Sequence, residues 1–155
     1  MCNNIYIRPL QREDALISYK WRNDPDIWLY TGRRPDRTIT QKIELEWIDR
    51  VLKDTSSRRF AICLKENDVY IGNTQLTDIT DEKAECHIFI GAKEYWGKGY
   101  GTEATKHLIT YAKEELKLKQ LYLWVNPLNK SAVKVYEKCG FIQVDESINM
   151  IMYLR

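Results

Sequence analysis

No stretch of this 155-residue chain is apolar for anything near the ~20 residues a bilayer crossing needs, so no membrane-spanning helix is expected. Neither charge is in marked excess: 24 Lys+Arg stand against 22 Asp+Glu. That balance argues against a dedicated nucleic-acid binder, which shows a basic excess or stripe. Cysteine is scarce and scattered (Cys2, Cys63, Cys86, Cys139), without the paired short spacing of a thiolate metal site. Three of the four lie in apolar runs, where a reduced thiol packs as a small hydrophobe. His87 and His107 are the only histidines, and neither belongs to an obvious metal-ligand pattern, so no metal centre is expected. The opening Met-Cys-Asn-Asn-Ile-Tyr-Ile-Arg lacks the features of a signal peptide, and a cytoplasmic protein without membrane association is expected. No internal repeat, low-complexity tract or linker divides the chain, so residues 1–155 read as one domain.

What is present is an alternation of short apolar runs and helical patterns. Ile5 to Ile7 predicts a strand, and Glu13 to Arg22 a helix stopped by Asn23-Asp24-Pro25. Residues 26 to 38 read as a loop with a short helical turn. Thr40 to Lys53 carries apolar residues at three- and four-residue steps, with Thr40 or Thr38 as its cap. Phe60 to Leu64 and Val69 to Leu76 flank a polar hinge and predict a hairpin, to which Glu85 to Ile90 adds a third strand. A helix over about Gly99 to Leu116 follows. Leu121 to Val125 is apolar or aromatic throughout, which predicts a strand buried on both faces. Strand, helix, strand in this order implies a right-handed crossover and a locally parallel pair. Asn129 to Cys139 predicts a further helix ended by Gly140, with Phe141 folding back on Tyr136. Phe141 to Asp145 and Asn149 to Leu154 complete an α/β domain with a mixed, mostly antiparallel sheet and four flanking helices.

The chain is organised around Glu85 to Glu103, where a strand leads into Trp96-Gly97-Lys98-Gly99-Tyr100-Gly101 and then a helix. A glycine-rich turn feeding a helix offers unpaired N–H groups and the positive end of the helix dipole to an anion. A P-loop would follow its last glycine with Lys-Ser or Lys-Thr, whereas Gly101 is followed by Thr102-Glu103. A dinucleotide loop would place its third glycine one residue later and end the next strand in an acid, where this chain has Asn126.

The strand from Glu85, the loop at Trp96 to Gly101, Asn126, Asn129 and the string Val-Tyr-Glu-Lys-Cys-Gly-Phe together resemble the GNAT superfamily of acyl-CoA-dependent N-acyltransferases. Within it, the chain looks like the ribosomal-protein and amino-sugar acetyltransferase subgroup, although the family loop usually opens with Gln or Arg where Trp96 stands. The resemblance implies acetyl-CoA as cofactor, its pyrophosphate held by backbone N–H groups from Lys98 to Thr102. It also implies pantetheine paired along Ile88, Phe89 and Ile90 where two strands splay apart, with Asn126 and Asn129 reaching the cofactor. N–H groups near Ile90 are the implied oxyanion donors.

Amine acetylation needs a base for a nucleophile of pKa near ~10.4 and an acid for the leaving thiolate. Tyr136 stands where the family carries the tyrosine that protonates the sulfur. Helical spacing alone favours a core residue stacking on Phe141, and the motif shifts the reading to the acid. Glu85 shares a strand face with His87 and Phe89 and is a candidate base, against a plain solvated strand end; His87 is a lesser candidate. The acceptor is expected at the first two helices and their loop, through Trp21, Arg22, Asn23, Trp28 and Tyr30, with Arg33 and Arg34 nearby. The expected activity is transfer of acetyl to a primary amine of a small molecule, with an amino sugar in view. Protein α-amine acetylation and a non-catalytic CoA-binding module are the alternatives. The resemblance further suggests a homodimer formed through the C-terminal strands.

Overall fold

The computed structural model describes residues 3–29, 35–144 and 149–154. The strands are β1 (Ile5–Pro9), β2 (Arg58–Leu64), β3 (Tyr70–Thr77), β4 (Lys83–Ile90), β5 (Gln120–Trp124), β6 (Ile142–Gln143) and β7 (Asn149–Tyr153). The helices are α1 (Ala15–Arg22), α2 (Pro25–Trp28), α3 (Gln41–Leu52), α4 (Tyr100–Glu114) and α5 (Lys130–Lys138). The four helices expected from the sequence are present, and the short turn expected after Asn23 is the fifth. Asp24 caps this one-turn helix by accepting the Asp26 N–H at 3.0 Å, with Pro25 at its first position.

Local signals read in the sequence operate as side-chain chemistry. Thr40, not Thr38, caps α3, its hydroxyl accepting the Ile43 N–H at 3.2 Å. The end of α5 is a Schellman motif: the Gly140 N–H bonds Glu137 O at 3.1 Å and the Phe141 N–H bonds Tyr136 O at 3.0 Å. Gly140 makes this possible at φ +105°, and the Tyr136 and Phe141 ring centroids lie 5.7 Å apart.

The strands form one seven-stranded sheet in the order β1-β2-β3-β4-β5-β7-β6. Every pairing is antiparallel except β4 with β5. Helices α4 and α5 cover one side, packing Leu108, Ala112, Tyr136 and Cys139 on Phe60, Leu76, Ala84, Cys86, Leu121 and Leu123. Helices α1 and α3 cover part of the other, where Trp21 and Ile48 pack on Ala61, Cys63 and Tyr70.

One expectation is corrected here. Strand β5 is not buried on both faces: Leu121 and Leu123 are buried, while Tyr122 is partly exposed and Trp124 is 54 % exposed. The reason is that α1 and α3 stop short of it. On their side of the sheet, Gln75, Thr77, Glu85, His87, Tyr122 and Trp124 form a partly open surface.

Candidate active site

The parallel pairing of β4 and β5 lasts for only three residue pairs, Lys83 with Gln120, Ala84 with Leu121 and Glu85 with Tyr122. Beyond Glu85 the two strands part, and β4 runs on to Ile90 without β5 beside it. The fork exposes a length of β4 backbone on its β5 side, which can bond an extended amide-bearing molecule as a strand would.

Below the fork lies the glycine loop. Gly97 and Gly99 have φ of +76° and +82°, a region that L side chains rarely adopt, and Gly99 is the residue preceding α4. Gly101 has an ordinary helical φ, yet a Cβ built on it, as on Gly97 and Gly99, would meet nothing within 4 Å. The start of α4 is therefore an open cradle into which a side chain would project. No side chain caps it, so N–H groups of the first turn are available to an anion. The acid of that turn, Glu103, points elsewhere and accepts from the backbone N–H groups of Asn4 and Ile5, docking β1. Lys98 is exposed at the lip. These features fit a pyrophosphate: Tyr100, Gly101 and Thr102 can hold it by backbone, with Lys98 adding mobile charge.

Trp96 is 47 % exposed, yet its indole N–H donates to Ile90 O at 2.7 Å. It thereby ties the loop to the end of β4, beside the run Ile88, Phe89 and Ile90. Asn126 and Asn129, expected at the cofactor, have their side-chain oxygens committed to the chain. Asn126 accepts the Leu128 N–H at 2.9 Å, and Asn129 caps α5 by accepting the Ala132 N–H at 3.2 Å. Each keeps its amide nitrogen free of these bonds as a donor toward a cofactor.

Tyr136 and Glu85 lie on opposite sides of β4. Tyr136 is buried on the α4–α5 side close to Cys86 and Cys139, and its hydroxyl makes no hydrogen bond among the described residues. Burial, and then the two thiols, push its phenol well above the ordinary range, so it is a neutral proton donor at physiological pH. Glu85 faces the open side, 3.8 Å from His87 Nε2, which in turn lies 3.1 Å from the Thr77 hydroxyl. Tyr122, opposite Glu85 across the parallel pair, has its phenol raised by partial burial and then by the charges of Glu85 and Asp78. An acid on one side and a carboxylate on the other thus flank the point where the strands divide.

A sequence model of the acetyltransferase (GNAT) domain matches residues 4–142. The chain belongs to the GNAT acetyltransferase family. Its activity is N-acetyl transfer from acetyl-CoA. Spermidine N(1)-acetyltransferase of Escherichia coli strain K12 is 32% identical over 142 residues, which span 90% of this chain and 73% of that protein. The crystal structure of spermidine N-acetyltransferase from Vibrio cholerae, in complex with CoA and spermine, superposes with a TM-score of 0.87 at 25% identity. The match covers 98% of this chain and 96% of that one. An aminoglycoside acetyltransferase in complex with coenzyme A shares the fold at a TM-score of 0.79 and 21% identity, over 96% of this chain and 94% of that one.

The residues expected around the acceptor divide in three. Trp21 is 8 % exposed and belongs to the core: its ring packs on Tyr70 and Phe89, and a Cβ on Gly91 would run into it. Arg22 pairs with Glu44 at 3.3 Å and stacks 5.0 Å from the Trp47 ring. Asn23 clasps Ile39, donating to its carbonyl at 2.8 Å and accepting its N–H at 2.7 Å. It therefore fixes where α3 begins relative to α1. Trp28 is partly exposed on α2, while Tyr30, Arg33 and Arg34 lie outside the described residues.

The open-face residues Tyr122 and Trp124 were missed in the sequence because they read as core. The available signal was their alternation with Leu121 and Leu123, two aliphatic residues that alone would mark the buried face. No helix among the described residues is long and apolar enough to cross a membrane, and no group of three or more His, Cys, Asp and Glu side chains there could hold a metal.

Proposed function

We propose that this enzyme acetylates the primary amine of a small molecule by direct attack on acetyl-CoA in the fork between β4 and β5. The observation that carries the reading is the fork itself, with a carboxylate on one side and a buried neutral phenol on the other. In this reading the cofactor's pyrophosphate rests on Tyr100 to Thr102, and pantetheine lies along Ile88 to Ile90 within reach of Asn126 and Asn129. The thioester reaches the division of the strands.

The acceptor approaches over the open face. Glu85, directly or through water, takes a proton from the ammonium group, and the freed lone pair attacks the thioester carbon. A C–N bond forms and the carbonyl becomes an oxyanion, for which backbone N–H groups of β4 near Ile90 are the available donors. The nitrogen then gives its second proton to water, the carbonyl re-forms as the C–S bond breaks with its electron pair going to sulfur, and Tyr136 gives the thiolate a proton that solvent afterwards returns to the phenol. His87 and Thr77 orient the Glu85 side of the site. A primary amine is also what the relatives named for spermidine acetylate, which supports a small-molecule acceptor over a protein α-amine.

The test is an acceptor panel read by release of free CoA thiol. It contains polyamines, amino sugars, amino acids and peptides with free α-amines. Release with small amines and not with peptides is expected. Preference for peptides would replace the reading by protein acetylation, and CoA binding without release by any amine would leave a binding module.

A further inference from the structure

The open face does not end at the fork. Across the sheet, His87 on β4 pairs with Gln75 on β3, and Gln75 pairs with Arg59 on β2. Residues in register on neighbouring strands point to the same side, so these three side chains form one row leading away from Glu85. Arg59 and His87 are two strand spacings apart, about 10 Å.

Arg59 at the far end is a cation with no counter-ion among the described residues. Its guanidinium lies 5.3 Å from the Trp47 ring, and Arg22 stacks against the same indole at 5.0 Å. Among the described residues the buried Arg59 Nε finds no hydrogen-bond acceptor, and no carboxylate comes within ion-pair distance of the side chain. The nearby charges leave it unsatisfied: Glu44 serves Arg22 and Ser18, and Asp54 acts on Arg59 only through space. A buried guanidinium N–H without an acceptor costs stability, and such a group is expected where a ligand supplies the missing acceptor. An arginine braced over an aromatic ring is preorganised for a carboxylate or phosphate.

We infer that Arg59, braced by Trp47, is an anion subsite for the acceptor, and that the preferred substrate is a primary amine bearing a carboxylate or phosphate about 10 Å from its nitrogen. The inference rests on the proposed delivery of the amine over Glu85 and His87. It also separates this chain from its spermidine-acetylating relatives, because a second ammonium group at the same distance would meet a cation.

The experiment compares four acceptors: ω-aminohexyl phosphate, ω-aminooctanoate, hexylamine and spermidine. Binding to the CoA-saturated protein is measured by calorimetry, and turnover by thiol release. At least one anionic amine should exceed hexylamine by about tenfold in both affinity and kcat/KM, the size of one charge-assisted contact. Whether phosphate, carboxylate or both gain identifies the anion. Arg59→Met should erase the advantage while leaving hexylamine unchanged, and Arg59→Lys should restore part of it. Hexylamine is the internal control for folding.

An advantage that survives Arg59→Met, no advantage at all, or a preference for spermidine over hexylamine would overturn the subsite. The two readings fail separately. Arg59-dependent binding without thiol release keeps the subsite and removes the proposed turnover. Release from hexylamine with no anion advantage removes the subsite and keeps the turnover.

Discussion

At the scale of single residues, the site depends on how the same side-chain type behaves in different surroundings. Tyr136 and Tyr122 are both phenols near the fork, but Tyr136 is enclosed by α4, α5 and two thiols, while Tyr122 stands on an open face beside carboxylates. The enclosed one holds its proton chiefly through burial, and its hydroxyl makes no hydrogen bond among the described residues. Tyr136→Phe keeps the ring that packs on Phe141 and removes no hydrogen bond to a described residue, so the fold should be unaffected. If Tyr136 protonates the departing sulfur, kcat falls about a hundredfold while acetyl-CoA affinity by calorimetry changes by less than about twofold. Equal kcat in the two proteins would return Tyr136 to a packing role. Its packing on Phe141 was legible in the sequence because Gly140 and Phe141 complete a helix-capping motif, whereas the acid role is implied by the resemblance alone and is what the variant tests. Trp21 was not legible as core, since nothing in its own neighbourhood reveals that Gly91, seventy positions later, leaves the space its ring fills.

At the scale of elements, β4, the loop and α4 form a continuous cradle whose openness is written in three glycines serving two different purposes. Gly97 and Gly99 are required by backbone angle. Gly101 is required by neither angle nor internal packing, because its Cβ would project into empty space. That distinction gives a substitution with opposed effects. Gly101→Leu replaces a poor helix former with a good one inside α4 and should raise unfolding free energy by about 0.5 kcal/mol. The same side chain would occupy the place proposed for the pyrophosphate, and acetyl-CoA affinity should fall by about tenfold or more. Urea denaturation and calorimetry on one preparation measure both effects. A stabilised variant with undiminished cofactor affinity would move the phosphates away from the start of α4. Strand and helix positions in this region were legible because glycine spacing and apolar periodicity are local signals. The two-faced character of β5 was not, because aromatic residues kept on an open surface look like core ones. What exposes Tyr122 and Trp124 is how far α1 and α3 extend over the sheet, a property of other elements.

At the scale of the whole molecule, the sheet divides the labour. The side covered by α4 and α5 carries the buried Tyr136 and the open start of α4 proposed for the cofactor, and the side partly covered by α1 and α3 carries Glu85, His87 and the row to Arg59. The two sides meet where β4 and β5 separate. In the proposed reading both substrates meet at the fork, with no intermediate needing to be carried from one half to the other. A covalent relay through cysteine would need an accessible thiol, and the described cysteines do not provide one. Cys63, Cys86 and Cys139 are all buried, and burial raises each thiol above its ordinary range. Initial rates measured while both acetyl-CoA and the amine are varied should therefore give intersecting double-reciprocal lines, the pattern of a ternary complex. Parallel lines, the signature of a ping-pong route through an acyl-enzyme, would contradict direct transfer. Iodoacetamide supplies the structural counterpart. In the native protein it should leave these three thiols unmodified by mass spectrometry and leave the rate unchanged, whereas the same treatment in urea should label all three. Native labelling of Cys139 or Cys86 with parallel loss of activity would place a thiol in the reaction path and merge the two sides of the sheet into one covalent route.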